Sequence, residues 1–168
     1  LIVATTYNPN KVNSITMWEM GAFGAARWNN ILIPIVATLI GTIVLMFLSE
    51  QLNILAVGEQ TAITLGVSIK TLQRIVIIVT SLMVGVVVSA SGLISFVGLI
   101  IPHIVRKIVG SDHRKVMPIT ALTGALFMIW MDVIARTIIA PDELAVGVLT
   151  SMVGGPFLLV LMLRKERG

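Results

Sequence analysis

IVIIVTSLMVGVVVSASGLISFVGLIIPHI, residues 75–104, sets how many times this chain crosses a membrane. These thirty residues contain no Lys, Arg, Asp or Glu. One straight helix would run about 45 Å at ~1.5 Å per residue, too long for a ~30 Å hydrocarbon core, while two full spans would need ~40 residues. The run must therefore break, and Ser89–Gly92, Gly98 and Pro102 supply the breaking chemistry. We expect a membrane helix within 75–97 that is regular to about Ser91, then a turn, and a short helix over 101–109 opened by Pro102. Irregular backbone at membrane depth is tolerated only where protein buries it or where it lines a cavity. A broken helix here points to a path through the membrane; a helix kinked for packing alone is the competing reading.

On either side of it, further apolar runs occupy 31–48, 116–139 and 146–163. The first, at 18 residues, is about 27 Å as a helix. The chain is 57% hydrophobic and 12% charged, with a mean hydropathy of +1.01, against roughly 25% charged for an average soluble domain. The runs are continuous, whereas the strands of a membrane barrel alternate apolar and polar residues. The fold class read from this is all-α, a polytopic transmembrane helical bundle of about five membrane helices, one of them short. There are no cysteines, so disulfides and thiolate metal sites are excluded.

Charge placement orients the chain. Placing 49–74 in the cytoplasm puts Lys70, Arg74, Arg106, Lys107, Arg114, Lys115, Arg164, Lys165 and Arg167 inside, and leaves only Lys11, Arg27 and Arg136 outside or near the outer face. That satisfies the positive-inside rule. A single crossing by 75–104 would invert the second half and violate it. Residues 1–30 then form an outer loop and interfacial segment, with Tyr7, Trp18 and Trp28 as interfacial anchors and Met17, Met20 and Phe23 either at an entrance or on a membrane-facing surface helix. Residues 140–143 form an acidic outer turn. The basic pI of about 10 is topological; no nucleic-acid partner is implied.

The inner loop is longer than a reversal needs. NILAVGEQTAITLGVSIKTLQR, residues 53–74, reads as two short helices, Leu55–Leu65 and Ser68–Arg74, hinged at Gly66. That is a docking surface for a soluble partner, or else an interfacial helix lying on lipid.

Five blocks occur in a fixed order: Trp18-x-Met20-Gly21, LNILAVGEQTAITLGV, SGLISFVGLIIPHIVRKIVGSDHRKVMP, Asp132-x-x-Ala135-Arg136 and ELAVGVLTSMVGGPFLLVLMLRK. Together they resemble the C-terminal half of the permease subunits of FecCD-type ABC importers for iron-siderophores, haem and cobalamin. The resemblance runs from Trp18 to Lys165, with Ala145 where the family usually has Pro. It implies a single membrane domain over 1–168, half of an approximately ten-helix permease. The implied setting is a bacterial cytoplasmic (inner) membrane, with a second permease subunit in a homo- or heterodimer, cytoplasmic ATPase subunits, an external substrate-binding protein and membrane lipid as partners. It implies no cofactor and no catalytic residue, ATP being hydrolysed on the separate subunit.

The resemblance assigns ATPase coupling to Val57, Gly58, Glu59, Gln60, Thr61, Ala62, Leu65 and Gly66. In that reading Glu59 caps the helix or reaches across the interface, Ala62 keeps a face slim and Gly66 reverses the backbone. It assigns binding-protein docking to Arg136, oriented by Asp132 one helical turn away; an ion pair that only secures packing is the alternative. Ser91, Gly92, Gly98 and Pro102, with Gly154, Gly155 and Pro156, mark helix breaks along the path. Gly85 with Ser89, and Gly124 with Met128, form small-residue faces for close helix approach. His103 caps the helix that Pro102 opens, and His113 lies in a polar turn with Arg106 and Lys107 that meets lipid headgroups or the ATPase flank. Ten residues apart, these histidines do not form a metal pair. No P-loop is present. An ion-coupled secondary transporter would need more intramembrane carboxylates than Asp132, and a non-transporting scaffold remains the blander alternative.

Overall fold

The computed structural model describes residues 15–24, 26–139 and 144–165. After a helical turn at 15–19 come α1 (Trp28–Phe47), α2 (Ser49–Val57), α3 (Glu59–Thr64), α4 (Ile69–Ser91), α5 (Val97–Val109), α6 (His113–Thr137) and α7 (Val146–Lys165). No strand occurs among the described residues. Helices α1, α4, α6 and α7 are long and apolar enough to cross a membrane. At 13 residues α5 extends about 20 Å and falls short of a ~30 Å core. The chain is a multi-pass membrane protein.

Its surface agrees with that assignment. Trp28 is 86% exposed, Phe47 82% and Leu122 74%, a distribution that water would not tolerate but that lipid or further helices accept. Hydroxyls within the spans bond back to their own helix: Thr80 to the Val76 carbonyl at 2.7 Å, Thr123 to Ile119 at 2.7 Å and Thr137 to Val133 at 2.8 Å. They satisfy themselves locally and do not by themselves mark a polar path.

The helices group into two compact units. One comprises residues 27–90 and 101–123. Here Gly41 of α1 is buried beneath the Met83 thioether of α4, which occupies the place a side chain would take. Gly85, expected from its spacing with Ser89 to provide such a contact, faces open space among the described residues. Spacing identified the helix face but not which glycine on which helix the neighbour would meet.

The other unit comprises the described parts of residues 1–26, 91–100 and 124–168. Gly21, Gly92 and Gly147 bring three backbones together in it. A Cβ on Gly92 would meet the Trp18 carbonyl, one on Gly147 the Met20 carbonyl, and one on Gly21 the Leu93 carbonyl. The Ala22 N–H donates to the Ser91 carbonyl and the Gly147 N–H to the Gly21 carbonyl, both at 3.1 Å. Only residues without side chains allow strands of backbone to cross this closely.

The break in 75–104 is real, and it is shorter than expected. Helix α4 stops at Ser91 and Gly92 turns the chain with φ +72°. But α5 opens at Val97, not near Pro102, so Gly98 lies in its first turn and Pro102 within it. The signal that Pro102 obscured is Phe96, which holds φ +67° and whose carbonyl accepts the N–H groups of Leu99 and Ile100 at 3.0 and 2.9 Å. Left-handed backbone is costly for an aromatic residue and persists only when packing enforces it. Its ring lies against Gly154 of α7. This corrects the expected break at Gly154, Gly155 and Pro156: α7 runs unbroken from Val146 to Lys165, and Gly154 serves as the slot for Phe96. A proline inside an apolar helix withholds one donor without ending it. His103, half-buried inside α5, is not a cap.

Candidate functional site

Two corrections apply to the polar segment between α1 and α4. The expected single helix Leu55–Leu65 is divided at Gly58 into α2 and α3, and the expected separate helix Ser68–Arg74 is the first two turns of α4. Gly58 adopts φ +153°, ψ 150°, a region essentially reserved for glycine, and so makes a fixed corner. Gly66, at φ +77°, closes α3: its N–H donates to the Ile63 carbonyl at 3.0 Å and the Val67 N–H to the Ala62 carbonyl at 2.9 Å. This double bond pattern is the Schellman cap, and it turns the expected hinge into a rigid reversal. Ser68 then starts α4, its carbonyl accepting from the Leu72 N–H at 2.9 Å. Ala62 is fully buried, whereas Val57, Glu59, Gln60, Thr61 and Leu65 are exposed. The segment presents a short, stiff, mostly exposed helix held at both ends by glycine geometry.

A cluster that the sequence reading did not assemble anchors α2. The Asn53 side-chain amide faces Asp112 and His113, at the N-terminus of α6 and 59 and 60 residues away in sequence. Its Nδ2 donates to Asp112 Oδ1 at 2.7 Å, while its Oδ1 accepts the His113 backbone N–H at 2.8 Å and lies 2.7 Å from His113 Nδ1. One turn earlier on α2, Glu50 pairs with Arg114 at 2.6 Å. Both partners are exposed, so that pair contributes little beyond orientation. Upstream, α5 ends on Gly110 at φ +83°, its N–H returning to the Arg106 carbonyl at 3.0 Å.

Asp112 is also the N-cap of α6: its Oδ1 accepts the Arg114 N–H at 3.0 Å and its carbonyl those of Lys115 and Val116 at 3.0 and 2.9 Å. The bond from Asn53, then that from the Arg114 N–H, holds its carboxyl below the ordinary value of 3.8. A carboxylate with a depressed folded-state pKa stabilises the fold above its unfolded value, and that contribution is lost as pH falls through the folded value. Below about pH 4 the protein should therefore lose thermal stability more steeply than an Asp112→Asn variant, which lacks the titrating group. Parallel melting profiles of the two in detergent between pH 6 and 3 would sink this expectation.

In the other unit, Asp132 and Arg136 pair on α6 as their spacing requires, Arg136 Nε donating to Asp132 Oδ2 at 2.9 Å. The Arg136 side chain keeps about half its surface exposed (45%). Beside the glycine crossing lies an open cavity of about 500 Å³ lined by Glu19, Met20, Leu93, Ser95, Ser151 and Met152, among others. Met20, singled out as an entrance residue, is in its wall, and Phe23 and Trp18 lie close by in sequence; Tyr7 lies outside the described residues, as do 140–143. The first two expected break residues, Ser91 and Gly92, are buried at this crossing. Among the described residues, no three His, Cys, Asp or Glu side chains gather as metal ligands would.

The chain matches the FecCD transport family over residues 1–164. It is 39% identical over 168 residues to an uncharacterized ABC transporter permease protein of Bacillus subtilis, covering 100% of this chain and 47% of the relative. To a hemin transport system permease protein of Yersinia pestis it is 37% identical over 156 residues, 93% of this chain and 47% of the relative. A solved metal-chelate type ABC transporter in an inward-facing conformation superposes with a TM-score of 0.85 at 36% identity, covering 94% of this chain and 51% of that one. The chain spans about half the length of the relatives it matches.

Proposed function

Because the chain belongs to the FecCD transport family, we propose that it is the C-terminal half of the permease subunit of an ATP-driven importer. The cargo is a metal chelate, an iron-siderophore, haem or cobalamin, delivered by an external binding protein. The permease sits in a bacterial cytoplasmic membrane, pairs with a second permease subunit and contacts lipid along its exposed helices. ATP is hydrolysed by separate cytoplasmic subunits. The cavity beside Leu93 and Ser151 belongs to the path in this reading, and Arg136, turned outward by Asp132, receives the binding protein.

The observation that carries the proposal is the α2–Gly58–α3–Gly66 segment. A mere connection has no use for a Gly-only corner, a full Schellman cap and an exposed helix between them. A lever that receives motion from an ATPase does, because a flexible loop would absorb the displacement.

The test is co-purification in detergent of the complete permease with its ATPase, native or carrying Gly66→Pro with Glu59→Lys. Proline fixes φ near −65° and lacks the N–H that Gly66 gives to Ile63, so α3 loses its cap. Native protein should retain the ATPase, and the inserted variant should lose it by at least about tenfold, ~1.4 kcal/mol. A native permease that holds no ATPase ends the importer reading; a variant that binds as well as native ends the role of this segment.

A further inference from the structure

All four leading N–H groups of α6 are engaged, and only three of them locally. Those of Arg114, Lys115 and Val116 go to Asp112, while that of His113 goes to Asn53 of α2. A helix start ordinarily leaves its first N–H groups to its own cap or to water. Here a side chain from a distant helix completes the set, and it does so with both ends of one amide. The Nδ2 end takes the carboxylate, the Oδ1 end takes the backbone N–H and the imidazole, and with His113 Nδ1 carrying its proton every contact is donor to acceptor. Asparagine and the longer glutamine are the side chains that carry an N–H donor and a carbonyl acceptor as two separate atoms of one amide.

The rest of the geometry says why such a link matters. Helix α2 continues from α1 through one residue, Leu48, whose carbonyl accepts the Leu52 N–H at 3.0 Å. At its other end Gly58 sets the corner to α3. Without Asn53, a push arriving at α3 reaches the spans through α1 and α4, and reaches α6 from α2 only through the exposed Glu50–Arg114 pair, a weak link in water. With it, the same push bears directly on the start of α6.

We propose that Asn53 is a transmission residue: its amide makes α2 and the N-terminus of α6 move as one body, so that displacement of the α2–α3 segment by the ATPase is passed into α6. This rests on the proposed function and adds to it a route and a residue. Asn53 touches neither nucleotide nor cargo; it acts by position.

The experiment uses the complete permease with its ATPase, on a background carrying no other cysteine, with spin labels at the exposed Leu82→Cys of α4 and Leu122→Cys of α6. In native protein, ATP should change the distance between the labels. Asn53→Ala and Asn53→Asp should each keep the ATPase bound and hydrolysing, yet lose that change. Asn53→Asp puts two carboxylates in contact, whereas Asn53→Asp combined with Asp112→Asn restores one amide facing one carboxylate and leaves the His113 donors an acceptor. The exchanged pair should recover the distance change, as neighbours in one network do in a double-mutant cycle. The proposal is overturned if native protein shows no ATP-driven change, if Asn53→Ala shows the native change, if the exchanged pair fails to recover it, or if Asn53→Ala releases the ATPase. Native permease that never binds the ATPase is a different failure, that of the importer reading itself.

Discussion

Gly147→Val is expected to abolish accumulation of folded permease. A Cβ at residue 147 would stand against the carbonyls of Met20 and Leu93, and both obstacles are backbone, which no rotamer change removes. The segments would have to separate, and the Gly147 N–H would part from the Gly21 carbonyl it now meets at 3.1 Å. Overpacking costs about 1–3 kcal/mol, and a buried donor left without a partner roughly 1–3 kcal/mol more. Against a total stability of about 5–15 kcal/mol that is enough to unfold a marginal protein. Gly66→Ala is the control: it has the unfavourable φ of +77° but nothing within 4 Å of the added carbon. It should cost only about 1–2 kcal/mol and still give a monodisperse peak. Size-exclusion profiles and melting temperatures of the two variants decide the matter; a native-like Gly147→Val would show that the three backbones leave room for a side chain at 147.

The second large effect is expected at Arg136→Glu. The arginine now meets Asp132 at 2.9 Å, and reversal would set two carboxylates one turn apart on α6. On the proposed outer face this removes the charge that a binding protein's acidic residue would seek and replaces it with repulsion. Binding-protein affinity for the reconstituted permease should fall about 100-fold, ~2.7 kcal/mol, mostly through slower association at low salt. Arg136→Lys keeps the charge and should lose far less. Insertion and melting temperature should be near native in both, because the pair is partly exposed and such pairs add little stability. Native affinity in Arg136→Glu would leave the pair a packing device only.

The class of fold was legible from the apolar runs, and α4 ended where Ser91 and Gly92 said it would. The errors lie where tertiary contacts outweigh local rules. Pro102 is a strong breaker in isolation, but the chain turned at Phe96, whose left-handed backbone is held by a ring seated on Gly154. Gly154, Gly155 and Pro156 look like a break for the same reason and are not one, since Gly154 exists to admit that ring. In the loop, the reversal at Gly66 was readable because a helix end is local, but that it is a capped reversal and not a hinge shows only in its bonds to Ile63 and Ala62. Gly58 was read as part of a helix because a glycine can sit in one; only φ distinguishes the two. Asn53, Asp112 and His113 were all in view, but nothing in a single sequence joins residues 59 and 60 positions apart.

The glycine crossing also bears on how the chain is made. Its three backbones come from segments near residues 21, 92 and 147, so it cannot close until α7 has entered the bilayer. Before that, the Gly21 carbonyl has no partner from α7, and a backbone group left unpaired away from water is costly. During biosynthesis the half-inserted chain therefore needs a polar partner for that carbonyl, from water or from the insertion machinery, until α7 arrives, and a ribosome stalled before α7 should leave a product that quality-control proteases clear.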